Sequence, residues 1–295
     1  MATLMNRYVV AMLVLSVMVF FRVGPVSAQT PLPRPDHIVI VIEENHSFDQ
    51  IVDSPAAPYL NALIQKGALL TNSYAITHPS QPNYIALFAG STEGIIANNC
   101  PIELTAPNLR SALVQAGYSF TGYAEDLPAV GSTDCIVASY VRKHNPWVNW
   151  QLSPVNQVPA GENRPFSDFP TDFSALPTVS IVIPNQQHDM HDGLDPERIQ
   201  RADQWLRTNL GRYVQWAETH NSLLIVTWDE DNGKSDNRIP TILVGPMVRQ
   251  GRYDERIDHY GLLRTIADMY GAQPVGLSRQ ARPLTGIWTT PPSAP

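Results

Sequence analysis

The sequence is poor in cysteine, in positive charge and in long apolar runs, and each shortage excludes a class of protein. Only two cysteines occur, Cys100 and Cys135, too few for a thiolate metal centre or a disulfide-dense scaffold. The formal charge of −7 has the wrong sign for a general nucleic-acid binder, which needs a basic patch. No apolar stretch reaches the ~20 residues of a membrane-spanning helix. The best candidate, residues 8–21, stops at Arg22 and is followed by the small-residue site Val26-Ser27-Ala28. With Arg7 ahead of it, that is the pattern of a secretory signal peptide over residues 1–28, cut before Gln29. Internal repeats and coiled-coil heptads are also missing. The expectation is an exported protein without an integral membrane segment in its mature part.

What remains, residues 29–295, is long enough for one large α/β domain with an ample core. In an exported chain, two cysteines point to one disulfide, which would stabilise by ~4 kcal/mol on the chain-entropy model. The 26 prolines fall at strand ends and in loops and form no low-complexity block.

Residues 37–42 are almost unbroken β-branched aliphatics, the pattern of a strand buried on both faces of a parallel sheet. Similar strands are expected at 118–124, 178–183, 223–227 and 240–244, with an extended return over 68–76. Helical spacing places helices at 56–66, closed by Gly67, and at 107–117, capped by Asn108 with Leu109, Leu113 and Val114 inward. A short helix follows Ser80, with Pro82 in its first turn and Gly90 as its stop. Asp195-Pro196-Glu197 reads as cap, N1 proline and first-turn acid of the longest helix, running to about residue 220. Its buried stripe is Ile199, Ala202, Trp205, Leu206, Leu210 and Val214. Asp258 caps a last helix that buries Leu262, Leu263, Ile266 and Met269. Residues 151–172 read as an irregular excursion, and the chain from Gly271 as a loose tail. Strands alternating with helices predict a central, mostly parallel sheet flanked by helices on both faces.

Three strands end on hard oxygen ligands or histidines: Glu44-Asn45, residues 185–192, and Asp229-Glu230-Asp231. Ligands bind at the carboxyl ends of such strands, and neighbouring acids repel one another unless a cation joins them. Oxygen-rich donors suit one divalent ion of the Mg, Ca, Mn or Fe(II) class. Ser80, at a helix N-terminus that favours anions, is the natural nucleophile, and no Gly-x-Ser-x-Gly elbow surrounds it. His191, between Asp189 and Asp192, is placed to protonate a leaving alkoxide or bind phosphate oxygens. Lys143 and His144 form a compact cation for an anionic substrate, and His259 can reach the pocket from a first helical turn. His37, His46, His78 and His220 are read as structural. Asn45-His46-Ser47 fits the glycosylation pattern, but a glycan does not suit a strand end that looks like a metal site.

These residues carry a resemblance. Ile42-Glu43-Glu44-Asn45-His46-Ser47-Phe48-Asp49, His78-Pro79-Ser80-Gln81-Pro82-Asn83-Tyr84 and Thr227-Trp228-Asp229-Glu230-Asp231 resemble the bacterial phosphoesterase family of acid phosphatases and phospholipases C, within the alkaline-phosphatase-like superfamily. Gly122-Tyr123-Ala124-Glu125-Asp126-Leu127-Pro128, Arg142-Lys143-His144-Asn145-Pro146-Trp147 and Asp189-Met190-His191-Asp192-Gly193 are similar to secreted acid phosphatases of the phosphatidylinositol-3-phosphatase type. The resemblance implies a metal held by Glu44, Asn45, Asp229 and Glu230, and Ser80 attacking phosphorus to form a phosphoserine that water hydrolyses. It implies His191 and His259 assisting the leaving group, and Lys143, His144 and Asn83 meeting a phosphate monoester or phosphoinositide. His188 stands where that type carries asparagine, and Glu230 where some members carry aspartate. Tyr84 occupies the arginine position of a sulfatase motif, which argues against a sulfatase. A phospholipase C-type phosphodiesterase and a non-catalytic binder of anionic headgroups are the competing functions. Alternation along an extended chain sends Glu43 and Glu44 to opposite faces, and the motif selects Glu44 as the ligand.

Overall fold

The first strand, β1 (His37–Glu43), runs through the middle of the sheet, and its side chains from Ile38 to Glu43 are all buried. The computed structural model describes residues 31–289, so the expected signal peptide at 1–28 lies outside the described residues. The other sheet strands are β2 (Ala68–Leu70), β3 (Phe120–Ala124), β4 (Asn163–Pro165), β5 (Val179–Ile183), β6 (Ser222–Trp228), β7 (Thr241–Val244) and β8 (Gly251–Tyr253). Their order is β8-β2-β7-β6-β1-β5-β3-β4. Within it, β1 pairs parallel with both β5 and β6, whereas β7 runs antiparallel to β6 and β2.

Besides the single turn Phe48–Ile51, five helices of the described residues cover the sheet: α1 (Pro58–Lys66), α2 (Ser80–Ala89), α3 (Leu109–Gln115), α4 (Glu197–Ala217) and α5 (His259–Met269). The side-chain period of two divides β1 between two cores. Ile38, Ile40 and Ile42 pack with Ile85 and Phe88 of α2, Leu113 of α3 and Ile266 of α5. Val39 and Val41 pack with Leu60 and Leu63 of α1 and with Leu206 and Leu210 of α4. Each fully buried aliphatic contributes on the order of 1.5–3 kcal/mol, so both faces hold β1 in register. A one-residue slip would exchange the two sets and carry Glu44 away from α2.

Several local expectations are corrected. Val114 of α3 is exposed, and Ser111 and Ala112 are buried instead, because the capping box of Asn108 with Ser111 turns that face inward. Pro196 is the residue before α4 and not its first, and the Asp195 carboxylate accepts from His46 and Arg198 instead of capping. The helix ends at Ala217. Gly67 does close α1, but with φ −131 it is not left-handed; a Cβ there would lie 2.0 Å from the Leu243 carbonyl oxygen, and that close approach requires glycine. Residues 163–165, inside the expected excursion, form the edge strand β4 beside β3. The stretch after Gly271 is no loose tail: Val275, Leu284 and Ile287 are buried in the α2 core, and Trp288 bridges to Val248. Cys100 and Cys135 are joined, as expected, across a sequence separation of 35.

Candidate active site

Parallel strands β1, β5 and β6 end side by side, and α2 begins over that edge. Glu44 and Asn45 follow β1, Asp229 and Glu230 follow β6, and Ser80 opens α2. The Ser80 Oγ lies 3.1 Å from Glu44 Oε2 and 3.2 Å from Glu230 Oε1. Asn45 takes a left-handed backbone, φ 54, which an asparagine tolerates better than most residues. That turn lets its side-chain amide donate to Glu44 Oε2 at 2.6 Å and its backbone N–H donate to Asp229 Oδ1 at 3.0 Å. Glu43 leaves β1 on the opposite face, buried, with neither carboxyl oxygen hydrogen-bonded.

The basic segment after residue 140 is not a solvated loop. Two 3-10 helices, Arg142–His144 and Pro146–Trp150, bury His144 against the site. Its Nε2 lies 2.9 Å from Glu44 Oε1 and its Nδ1 3.2 Å from Asp189 Oδ2, and the ring stacks on Tyr84 at 5.1 Å. These are close ion pairs whose N–H directions miss good hydrogen-bond alignment, so the attraction is mainly coulombic. Half-buried Lys143 places Nζ 3.5 Å from His191 Nε2, and His191 Nδ1 lies 2.8 Å from Asp192 Oδ1. The His144 and His191 rings stand 5.8 Å apart. Lys143, His144 and His191 therefore line one side of the site.

Other expected site residues sit elsewhere in the network. Asn83 is fully buried: its Oδ1 accepts from the N–H groups of Ile76 and Thr77, and its Nδ2 donates to Thr77 O, Pro79 O and Glu230 Oε2. It holds the loop ahead of Ser80 instead of facing a substrate. His259 is also buried and donates from Nε2 to the Asp229 carbonyl oxygen at 2.8 Å, so it braces the carboxylate strand from behind. His188 binds Glu125 through Nδ1 at 2.9 Å and stacks on Trp205.

Two residues were missed in the sequence. His78, read as structural, lies with Nδ1 2.8 Å from Glu230 Oε2 and Nε2 3.3 Å from Asp231 Oδ1. Its place two positions before Ser80 was the available signal. Asp189 is fully buried and gathers three elements: its carboxylate faces His144 and accepts the His191 N–H at 2.8 Å, while its carbonyl accepts the Glu44 N–H at 2.8 Å. The next residue, Met190, is buried with φ 75, a strained conformation for methionine that the surrounding contacts enforce.

Charge balance follows from these contacts. Burial alone would raise Glu44, but the His144 imidazolium, with Lys143 and His191 behind it, lowers its pKa to about 2. Burial likewise opposes charge on His144, yet Glu44 and Asp189 outweigh it and raise the imidazole to about 9. Asp229 is raised well above the carboxylate range by burial and then by repulsion from Glu44 and Glu230. Glu230 is raised to about 7 by burial, with His78 opposing and Glu44 reinforcing. Burial lowers His259, which keeps it neutral.

Three crowded carboxylates, of which ionised Glu44 opposes the ionisation of Asp229 and Glu230, are the donor chemistry of a hard cation, and Asp229 Oδ2 is buried without a hydrogen-bond partner. Among the described residues, no group of three or more His, Cys, Asp or Glu stands at ligating spacing, since these oxygens turn to Ser80, Asn45 and His78. In donor type, Glu44, Asn45, Asp229 and Glu230 fit a divalent ion.

Comparison with known proteins gives a consistent result. The model of the phosphoesterase family matches residues 52–273. The chain is 50% identical over 264 residues to a phosphatidylinositol-3-phosphatase of Mycobacterium tuberculosis, covering 88% of this chain and 85% of that protein. It is 29% identical to an acid phosphatase of Aspergillus fumigatus, over 76% of this chain and 53% of the relative. Among solved structures, an alkaline phosphatase superfamily protein of Vibrio parahaemolyticus superposes with TM-score 0.62 at 13% identity, covering 86% of this chain and 70% of that one. A phosphonate monoester hydrolase of Silicibacter pomeroyi gives TM-score 0.56 at 13% identity, over 84% and 76%. These two likenesses show the alkaline-phosphatase-like fold.

Proposed function

The chain belongs to the phosphoesterase family and is a phosphoric ester hydrolase, and on that premise we propose that it transfers the phosphoryl group of phosphate monoesters to Ser80. The observation that carries this reading is the Ser80 hydroxyl at the N-terminus of α2, within 3.2 Å of two carboxylates from different strands. A divalent ion held by Glu44, Asn45, Asp229 and Glu230 would supply Lewis-acid stabilisation of charge on phosphate and on the serine oxygen. The chain's own residues do the rest. Glu230, its pKa raised to about 7, accepts the Ser80 proton as Oγ attacks phosphorus in line. The positive end of α2, Lys143 and His191 hold the non-bridging oxygens, while the buried His144 adds positive charge from behind Glu44. His191, partly exposed, gives a proton to the departing alkoxide, and water then hydrolyses the phosphoserine. Asp189 fixes His144 against Glu44, and His259 fixes Asp229.

A phosphoinositide is the substrate class we infer, supported by the relative named phosphatidylinositol-3-phosphatase at 50% identity. Export is supported by the charged, apolar and small-residue pattern of residues 1–28 and by the Cys100–Cys135 disulfide, which persists in oxidising compartments. Ser80→Ala is expected to abolish p-nitrophenyl phosphate hydrolysis while the melting temperature stays near wild type. Wild-type turnover in that variant would end the nucleophile assignment.

A further inference from the structure

The three most exposed large apolar side chains of the described residues lie on segments that also carry site residues, whereas the next two, Leu152 and Val155, lie on the excursion after residue 150. Ile96 is 83% exposed, Leu194 80% and Ile136 71%, with Val130 at 47%. Leu194 lies on the loop after β5, three residues beyond His191. Val130 and Ile136 lie on the excursion after β3, which returns to Lys143 and His144. Ile96 lies on the segment after α2, two residues before Asn98, whose side chain accepts the Gln81 N–H beside Ser80. Asn99 is held to Gln81 as well, through its backbone N–H and its carbonyl. The Cys100–Cys135 disulfide ties the Ile96 segment to the Ile136 segment, one residue from Ile136 itself. Three separate loops that also deliver Lys143, His191 and the neighbour of Ser80 thus each present an isoleucine or leucine to solvent.

Single exposed apolar residues are ordinary; the three most exposed ones all falling on loops that deliver site residues is not. No helix of the described residues is long and apolar enough to cross a membrane. We propose that Ile96, Ile136 and Leu194 form a bilayer-docking rim, which dips into the headgroup region and presents a phosphoinositide headgroup to Ser80 in place. This rests on the phosphoinositide reading above. The loops carrying the rim also carry acids, Glu93, Glu103, Asp134, Asp192 and Asp195. Docking is therefore driven by apolar insertion and not by attraction to an anionic surface, the opposite of a polybasic anchor.

The test compares wild type with the triple variant Ile96→Ser, Ile136→Ser, Leu194→Ser, on three substrates. These are p-nitrophenyl phosphate, a water-soluble short-chain phosphatidylinositol 3-phosphate, and long-chain phosphatidylinositol 3-phosphate in phosphatidylcholine vesicles. Each apolar side chain removed from a membrane interface weakens binding roughly tenfold. The triple variant should therefore lose vesicle co-sedimentation and at least about 100-fold in turnover on vesicles at limiting lipid. Its rates on both soluble substrates, and its melting temperature, should match wild type. Wild-type vesicle binding should persist in high salt. Equal vesicle turnover by variant and wild type, or vesicle binding abolished by salt, would overturn the docking rim while leaving the phosphoinositide reading intact. A wild-type enzyme that hydrolyses p-nitrophenyl phosphate but neither lipid would overturn the phosphoinositide reading, and the rim with it.

Discussion

At the scale of single residues, neighbours in sequence have opposite fates. Glu43 and Glu44 are both fully buried, yet Glu44 meets Ser80, Asn45 and His144 while Glu43 meets no hydrogen-bond donor. Glu44→Gln should remove activity and, by elemental analysis, bound metal, because an amide cannot replace a charged ligand between Ser80 and His144. Glu43→Gln should stay within a few-fold of wild type; equal losses would mean the wrong carboxylate has been identified. Asp189 acts through others: Asp189→Asn leaves His144 with one carboxylate in place of two. The expected cost is about 10–100-fold in turnover or metal affinity, the usual range for a residue that orients a ligand. A melting temperature lowered as far as in a core truncation, with turnover intact, would show a purely structural role.

Among the secondary-structure elements, the long helix α4 shows how a local rule yields to a tertiary one. Asp195 just before Pro196 has the composition of a cap, but its carboxylate is drawn to His46 and Arg198 instead. Its pKa is lowered, since Arg198 and His46 outweigh the effect of partial burial. A depressed folded-state value means stability that is present above the unfolded carboxyl's pKa and lost as pH falls through the folded one. Asp195→Asn should melt below wild type at pH 7, and the two curves should converge in acid, once the pH has fallen below the lowered folded-state pKa. A gap that persists there would show that packing, not charge, is responsible. Strong periodicity made β1, α4 and α5 legible, and the Asn108 and Asp258 caps form as their sequence suggests. The edge strand β4 was not legible, because Asn163-Arg164-Pro165 has no strand pattern of its own and is recruited only by β3.

For the molecule as a whole, the sheet brings together what the sequence holds far apart. Glu44, Ser80 and Glu230 were recognisable as a set because each follows a strand or opens a helix with chemistry attached. His144 and Asp189 were harder to place: the depth of residues 142–150 depends on packing of Trp147 and Trp150 into the core, which no local pattern encodes. His78 escaped notice for a related reason, since its carboxylate partners arrive from β6, about 150 residues later in the chain. The central claim is that Ser80 carries phosphate during turnover. Acid quenching of enzyme mixed with labelled phosphate monoester, followed by peptide mapping, tests it directly. Label is expected on the peptide containing Ser80 and absent in Ser80→Ala. Label elsewhere, or a rapid wild-type turnover with no covalent label at any quench time, would contradict it.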